Sequence, residues 1–288
     1  MELVQTKVIA AAAALLLAVS CAEAPQPQVS GARFGFDWTK HAMDGSRTGV
    51  TAVIGDAVEP ALGRAANGRY TAPNGKVFTK GSTPQASKLL LDVQPDMAYL
   101  KEVLGWCPRG MQKEGYESEH TNWTADAIMA GVEETLGKHV DMGFANYGGI
   151  RIDMPQGDVL LDDIVSMYPF RNYLVYVKLK GSDIRTLLEQ MAQTKMQAIG
   201  GVRLVMQDRQ LQSVEIGGEP LDDNKTYGLA TIDFLLDGGD GYFASRNALE
   251  LVKSDVQVKE WMIQYVRSLT AAGKNVESEI DGRVEVIK

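Results

Sequence analysis

Cysteine is almost absent from this 288-residue chain, which holds only Cys21 and Cys107. A scaffold stapled by several disulfides is therefore excluded. Basic residues are outnumbered, with 29 Lys and Arg against 37 Asp and Glu and a formal net charge of −8. That balance excludes a broad surface for nucleic-acid polymers, which needs a basic footprint. A small anionic ligand needs only a few arginines gathered locally. Histidine is scarce too: His41, His120 and His139 are the three. The unbroken apolar run at 10–19 falls short of the roughly 20 residues of a membrane-spanning helix. No internal repeat is visible.

What is present is ordinary for a folded protein, 45% hydrophobic and 23% charged. The length suits one large domain or two small ones with a sizeable core. Residues 1–20 read as an export signal, in which Lys7 precedes the apolar run. The run ends in Leu17-Ala18-Val19-Ser20-Cys21, which resembles a bacterial lipobox, so Cys21 is the expected lipidation site. Plain secretion with cleavage near Ala22 or Ala24 is the alternative. Residues 21–30, with Pro25 and Pro27, read as a flexible tether. The expected location is the bacterial cell envelope, lipid-anchored, on the periplasmic side or the outer surface. With Cys21 acylated, Cys107 has no partner in the chain and is expected to be a buried apolar filler.

Residues 31–95 form an extension rich in Gly, Thr and Pro. Asp44-Gly45, Asn67-Gly68 and Pro73-Asn74-Gly75 are turn signals between short runs at 51–54 and 76–78, so loops and a hairpin or two are expected. From residue 96 the pattern changes. Residues 97–104 read as helix. A second helix begins at a Thr121 or Asn122 cap, buries Ala125, Ile128, Val132 and Leu136, and ends at Gly137. Residues 140–145 read as a buried strand and 173–179 as an alternating one. Ser182 is the expected cap of a helix with Ile184, Leu187, Leu188 and Met191 on one stripe. Residues 202–206 and 211–216 form a hairpin around Asp208-Arg209, and 227–232 is another strand. A long helix over 256–272 carries Val258, Trp261, Met262, Tyr265, Val266 and Leu269 on one face, and 284–287 is a final strand. The order predicts an α+β fold with a mixed β-sheet packed with helices.

Two blocks at strand ends carry the chemistry. Asn146-Tyr147-Gly148-Gly149-Ile150-Arg151 follows the strand ending at Ala145, and Tyr168-Pro169-Phe170-Arg171-Asn172 comes shortly after. Phe234-Leu235-Leu236-Asp237-Gly238-Gly239-Asp240-Gly241 follows the strand ending at Ile232. Taken singly, a Phe after Pro is usually a core residue, and a GGDG stretch a tight turn. Arg151 alone could be a surface ion pair with Asp153 or Asp158, and Asn146 a turn residue. Jointly, two aromatic rings flanked by glycines and polar side chains can wall a slot for a planar group. In that reading Phe170 and Phe234 stack on a base. Asp240 accepts from ribose hydroxyls, Asn146 and Asn172 read a base edge or a ribose, and Arg151 grips a phosphate or ribose oxygen. Gly148, Gly149, Gly238, Gly239 and Gly241 let the ligand approach the backbone.

These residues resemble the C-terminal domain of the 5′-nucleotidase and UDP-sugar hydrolase family. The marks are Asn146-x-Gly148-Gly149-x-Arg151, Pro169-Phe170-x-Asn172, Lys180-Gly181 opening a helix, and Phe234-x5-Asp240 within Gly238-Gly239-Asp240-Gly241. Glu119-x-x-Asn122-x-x-x-Asp126-Ala127 resembles that domain's first helix. The ordered set covers about two-thirds of the chain, so 96–288 is expected to be this domain. The resemblance implies a nucleoside or nucleotide ligand, stacked by Phe170 and Phe234 and held by Asp240, Asn146, Arg151 and Asn172.

Two departures stand out. The family usually places arginine just before the first helix to hold phosphate, but 113–119 contains none; Arg171 is the candidate substitute. The family also hydrolyses its substrate with a separate N-terminal metallophosphoesterase domain that uses two metal ions. Its ligands lie in motifs such as Asp-x-His, Gly-Asn-His and Gly-His-x-His, and no histidine here sits in one. No cofactor is therefore expected in this chain, and a partner metallophosphoesterase would carry two divalent metals. Three functions follow. The first is the substrate-binding half of a split 5′-nucleotidase. The second is a stand-alone lipoprotein that captures or senses nucleosides or nucleotides. The third is an enzyme whose chemistry lies in residues 38–49, which include His41; a Ser/His/Asp set so close in sequence has no triad signature.

Overall fold

The computed structural model describes residues 45–53 and 57–287. The expected export signal, Cys21, the tether and His41 lie outside them. The chain divides into two units, 1–49 and 50–288. Of the first, the described residues form a turn closed by Thr48 N–H and Gly49 N–H on Gly45 O at 3.0 and 2.7 Å.

The second unit runs through α1 (Val58–Leu62), β1 (Arg64–Ala66), β2 (Arg69–Thr71), β3 (Val77–Phe78), α2 (Thr83–Asp92), β4 (Val103–Cys107), α3 (Glu119–Leu136), β5 (Met142–Ala145), β6 (Gly157–Leu160), α4 (Leu161–Met167), β7 (Tyr173–Lys180) and α5 (Gly181–Gln193). It continues through β8 (Ala198–Gly200), β9 (Val202–Gln207), β10 (Gln210–Ile216), β11 (Glu219–Pro220), β12 (Thr226–Ile232), β13 (Glu250–Gln257), α6 (Val258–Ala271) and β14 (Val284–Ile287). The central sheet has strand order β13-β7-β12-β5-β8. Only its β12–β5 pair is parallel. A second sheet, β11-β10-β9-β14, a small β1-β2-β3 sheet and the β4–β6 pair complete the unit. The fold is thus α+β with mixed sheets, as the element order requires.

α3 packs on β5, β7, β8, β12 and β13, and α5 packs on β7 and β10. Leu174, Val175, Tyr176 and Val177 are consequently all buried, and the alternation expected along β7 is absent. A strand covered on both faces reads as a continuous apolar run. The core continues through Ile128, Met142, Phe144, Leu188, Leu229 and Trp261.

Several local expectations need correction. Residues 97–104 do not form one helix: a 3₁₀ turn covers Pro95–Lys101 and β4 follows. β4 pairs with β6 (Trp106 opposite Asp158), and a side chain at Gly105 would meet Val266 and Thr270 of α6 at 2.9 Å. Tertiary pairing here outweighs helical spacing. α3 is capped by Ser118, not by Thr121 or Asn122. Ser118 Oγ accepts from Thr121 N–H at 3.2 Å and Thr121 Oγ1 accepts from Ser118 N–H at 3.0 Å, a reciprocal cap. Gly137 ends the helix with φ 62°, as expected. Ser182 does not cap α5; the free amides of Gly181 and Ser182 donate to Lys225 O and Asp223 O of a neighbouring turn. Residues 256 and 257 belong to β13, so α6 begins at Val258. In the extension, 51–53 form no strand, the β1–β2 hairpin turns at Asn67-Gly68, and α1 and α2 are helices where the sequence predicts loops and hairpins.

Arg283 secures the C-terminal strand to α3. Its Nη1 and Nη2 each lie 2.7 Å from Asp126 carboxylate oxygens, Nη1 also reaches Ile199 O at 3.0 Å, and Nε donates to Asp281 at 3.0 Å. Burial alone would lower its pKa, but the hydrogen bonds and charges of Asp126 and Asp281 outweigh this and raise it.

Candidate functional site

Strand directions gather every candidate loop at one edge of the central sheet. β12 and β5 are parallel and end there at Ile232 and Ala145. β7 is antiparallel to β12 and begins there, with Leu174 opposite Ile232. β13 ends at the same edge, with Gln257 opposite Tyr173, and β8 begins there, with Ala198 opposite Ala145. Blocks far apart in sequence therefore leave the sheet side by side, where α/β-type folds place ligands.

A cavity of ≈ 240 Å³ opens at this edge, lined by Asn146, Gly148, Arg151, Phe170, Asn172, Phe234 and Asp240. All six side chains singled out in the sequence meet in it. Phe170 and Phe234 are 47% and 43% exposed, so neither is a core residue. The volume lies just under the roughly 300–1,000 Å³ of pockets that engulf a drug-sized ligand.

The polar groups are positioned from below. Asn146 is buried; its Nδ2 donates to Asp240 Oδ2 at 2.9 Å, which joins the two glycine-bearing loops. Its Oδ1 is buried with no hydrogen-bond partner among the described residues. Leaving such an acceptor unpaired costs about 1–3 kcal/mol; the atom faces Gly149, where an added Cβ would lie 2.5 Å from it. Asp240 stands at φ 49° between Gly238 at φ 108° and Gly241 at φ 82°, and Gln190 Nε2 holds Gly241 O at 3.0 Å. A Cβ on Gly239 would lie 1.9 Å from Phe234 O, so this turn closes directly onto the aromatic residue. A Cβ on Gly148 would meet no protein atom within 4 Å, which leaves the cavity open above that loop. Arg151 Nη1 donates to Gly148 O at 3.2 Å, and its guanidinium carbon lies 5.8 Å from the Phe170 ring centroid. Its described partners are thus the glycine loop and the ring, not Asp153 or Asp158. Arg171 is exposed and does not line the cavity, so Arg151 is its one cationic lining residue among the described residues.

Supporting residues were not evident in the sequence. Asp233 Oδ1 accepts from Tyr173 N–H at 3.0 Å and its Oδ2 from Lys253 Nζ at 2.7 Å, which ties the Phe234 block to the Phe170 block. Val258 N–H donates to Asn172 O at 2.8 Å. Lys113 Nζ donates to Tyr147 O at 3.0 Å and to Ile150 O, and Gln197 Oε1 accepts from Tyr147 N–H at 2.7 Å. Asp233 adjoins Phe234 in sequence, whereas Lys113 and Gln197 reach the glycine loop from distant segments. A small apolar chamber lies beneath the slot, lined by Thr124, Ile128, Ile150, Tyr168, Ile232 and Val258 among others, and shares Asn146, Phe170 and Asn172 with it.

The described residues do not fit a metal centre, since no three His, Cys, Asp or Glu side chains among them converge. His120 is buried with Nε2 3.1 Å from Met167 Sδ, and burial pushes its pKa down to about 4. His139 is exposed beside Glu133 and Asp141. Cys107 is buried, and burial raises its thiol pKa.

Residues 99–245 match the family described as 5′-nucleotidase, C-terminal domain. The chain belongs to this family, whose context is nucleotide hydrolysis. It is 37% identical to Protein UshA of Yersinia enterocolitica over 129 residues, 43% of this chain and 23% of that protein. It is 31% identical to Cell wall protein Lmo0130 of Listeria monocytogenes over 184 residues, 58% of this chain and 23% of that one. The fold resembles a crystal structure of a 5′-nucleotidase precursor from Thermus thermophilus, with TM-score 0.64, 24% identity, and coverage of 76% of this chain and 45% of that one. The chain thus spans about a quarter of the length of these curated relatives.

Proposed function

We propose that residues 96–288 form a substrate-binding domain for a nucleoside or nucleotide. The base stacks between Phe170 and Phe234, Asp240 and Asn146 receive the ribose, Asn172 reads the base or ribose, and Arg151 faces the phosphate. The observation that carries this is the one cavity in which all six side chains meet, with the Asp240 carboxylate beside two exposed rings. Stacking on an aromatic ring contributes roughly 1–3 kcal/mol per base. Asp240 has acceptor capacity left after its bond from Asn146, since an ionised carboxylate offers about four lone-pair sites.

In this reading the chain acts in nucleotide breakdown with a separate metallophosphoesterase chain that carries two divalent metals. Residues 1–20 direct export, Cys21 carries lipid, 21–30 tether the chain, and 31–95 are an extension. The envelope location draws on that anchor and on the printed name of the Listeria relative, a cell wall protein. The test is AMP hydrolysis by a metallophosphoesterase chain of the same organism, with and without this protein. A gain in kcat/KM on mixing supports the split enzyme. No gain, with AMP still bound, leaves the stand-alone binding lipoprotein as the function.

A further inference from the structure

Three cations gather on the segment 147–151, at the edge of the slot. Lys113 Nζ is bonded to the carbonyls of Tyr147 and Ile150, and Arg151 Nη1 to that of Gly148. Lys195 Nζ lies 4.0 Å from the Tyr147 ring centroid, and Lys113 Nζ lies 4.5 Å from the same centroid. Lys195 sits in the loop after α5. Gln197 locks that loop to the slot: it accepts from Tyr147 N–H at 2.7 Å and its Nε2 donates to Lys195 O at 3.0 Å. Burial lowers the Lys113 pKa first, and the charges of Lys195 and Arg151 lower it further, against Asp153. The acids at hand are Asp153, which accepts Lys113 N–H at 2.9 Å, and Glu114, whose charge reaches Tyr147. Three positive charges thus crowd one short segment of a chain with net charge −8. Lys113 is committed to two carbonyls. Lys195 is exposed and, among the described residues, engages only the aromatic ring. A ring face holds a cation in place without neutralising it.

We propose that Lys195 sets the ligand's phosphate preference. With Lys113 and Arg151 it forms an anion-binding edge that favours a nucleoside diphosphate over a monophosphate, and a monophosphate over the nucleoside. The inference rests on the nucleotide reading of the slot. A base stacked between the two rings and a ribose on Asp240 leave the 5′ substituent to extend along the Gly148–Arg151 backbone. One phosphate meets Arg151 and the next meets the ammonium of Lys195. Lys195 is a specificity residue here and takes no part in bond breaking.

The experiment is calorimetric titration of the full chain and of Lys195→Met and Lys195→Arg with adenosine, AMP and ADP, without divalent metal. The expected wild-type order is ADP tightest and adenosine weakest. Lys195→Met weakens ADP about tenfold, the size of one partly exposed charge-assisted hydrogen bond. It leaves adenosine unchanged, and Lys195→Arg restores most of the ADP affinity. An equal loss for all three ligands would mean that Lys195 merely props Tyr147, and an unchanged ADP affinity would remove it from the site; either overturns the proposal. A wild-type chain that binds none of the three overturns the slot reading itself, and this inference with it.

Discussion

Replacing Gly239 by alanine should damage ligand binding far more than its single methyl implies. The added Cβ would stand 1.9 Å from Phe234 O and 2.8 Å from Phe234 C and Cδ1. Side-chain carbons do not approach backbone below about 3 Å, so the turn must open by roughly 1 Å. Overpacking of this kind costs about 1–3 kcal/mol. Because the turn lies at the surface, a loss near 1–2 kcal/mol is expected, a fall in Tm of about 3–6 °C for a unit of this size. The same shift moves Phe234 and separates Asp240 from Asn146, so AMP affinity should fall at least about tenfold. Gly148→Ala is the contrast: its Cβ meets no protein atom within 4 Å, so Tm should hold while affinity falls, because the methyl enters the slot. Calorimetry and thermal melts read both quantities. A Gly239→Ala protein that melts lower yet binds AMP as the wild type does would show that the Phe234–Asp240 turn is no part of the site.

Two further outcomes follow from buried ionisable groups. Arg283→Met removes a fork bonded to Asp126, Asp281 and two carbonyls, but both carboxylates are partly exposed. Urea denaturation should show a loss of about 2–3 kcal/mol, below the 3–5 of a fully buried pair, and a loss under about 1 kcal/mol would contradict the structural role. His120 has its folded pKa lowered by burial to about 4, below the 6.5 of the free side chain. Its contribution to stability is therefore present above pH 6.5 and is lost as pH falls toward 4, because only the unfolded chain takes up the proton. Between pH 7 and 5 the wild type should lose about 2 kcal/mol more than His120→Leu, and parallel stability–pH profiles would refute this.

Local chemistry was legible in the sequence, and long-range geometry was not. The glycine–aromatic blocks announce themselves because a turn with Asp240 at φ 49° beside an exposed Phe234 needs a particular local composition. Gly137 and the Asp208-Arg209 turn were legible for the same reason, since each is decided by its own backbone. β13 was missed because five of its eight residues are polar and most are at least partly exposed, so only pairing with β7 makes it a strand. The cap of α5 failed as a local inference because its amides are satisfied by a turn some forty residues on, a contact that no local pattern encodes. Lys113 and Lys195 carry no motif, and their importance comes from meeting one ring, Tyr147.

The central claim is that Phe170 and Phe234 hold a base between them. Calorimetric titration of the wild type, Phe170→Ala, Phe234→Ala and the double variant with adenosine tests it most directly. The wild type should bind measurably, and each single variant should lose about 1–3 kcal/mol, roughly 5- to 150-fold. The double variant should lose less than the sum, since either ring alone leaves one face of the base bare. Variants that bind adenosine as tightly as the wild type, or a wild type that binds none, would contradict it.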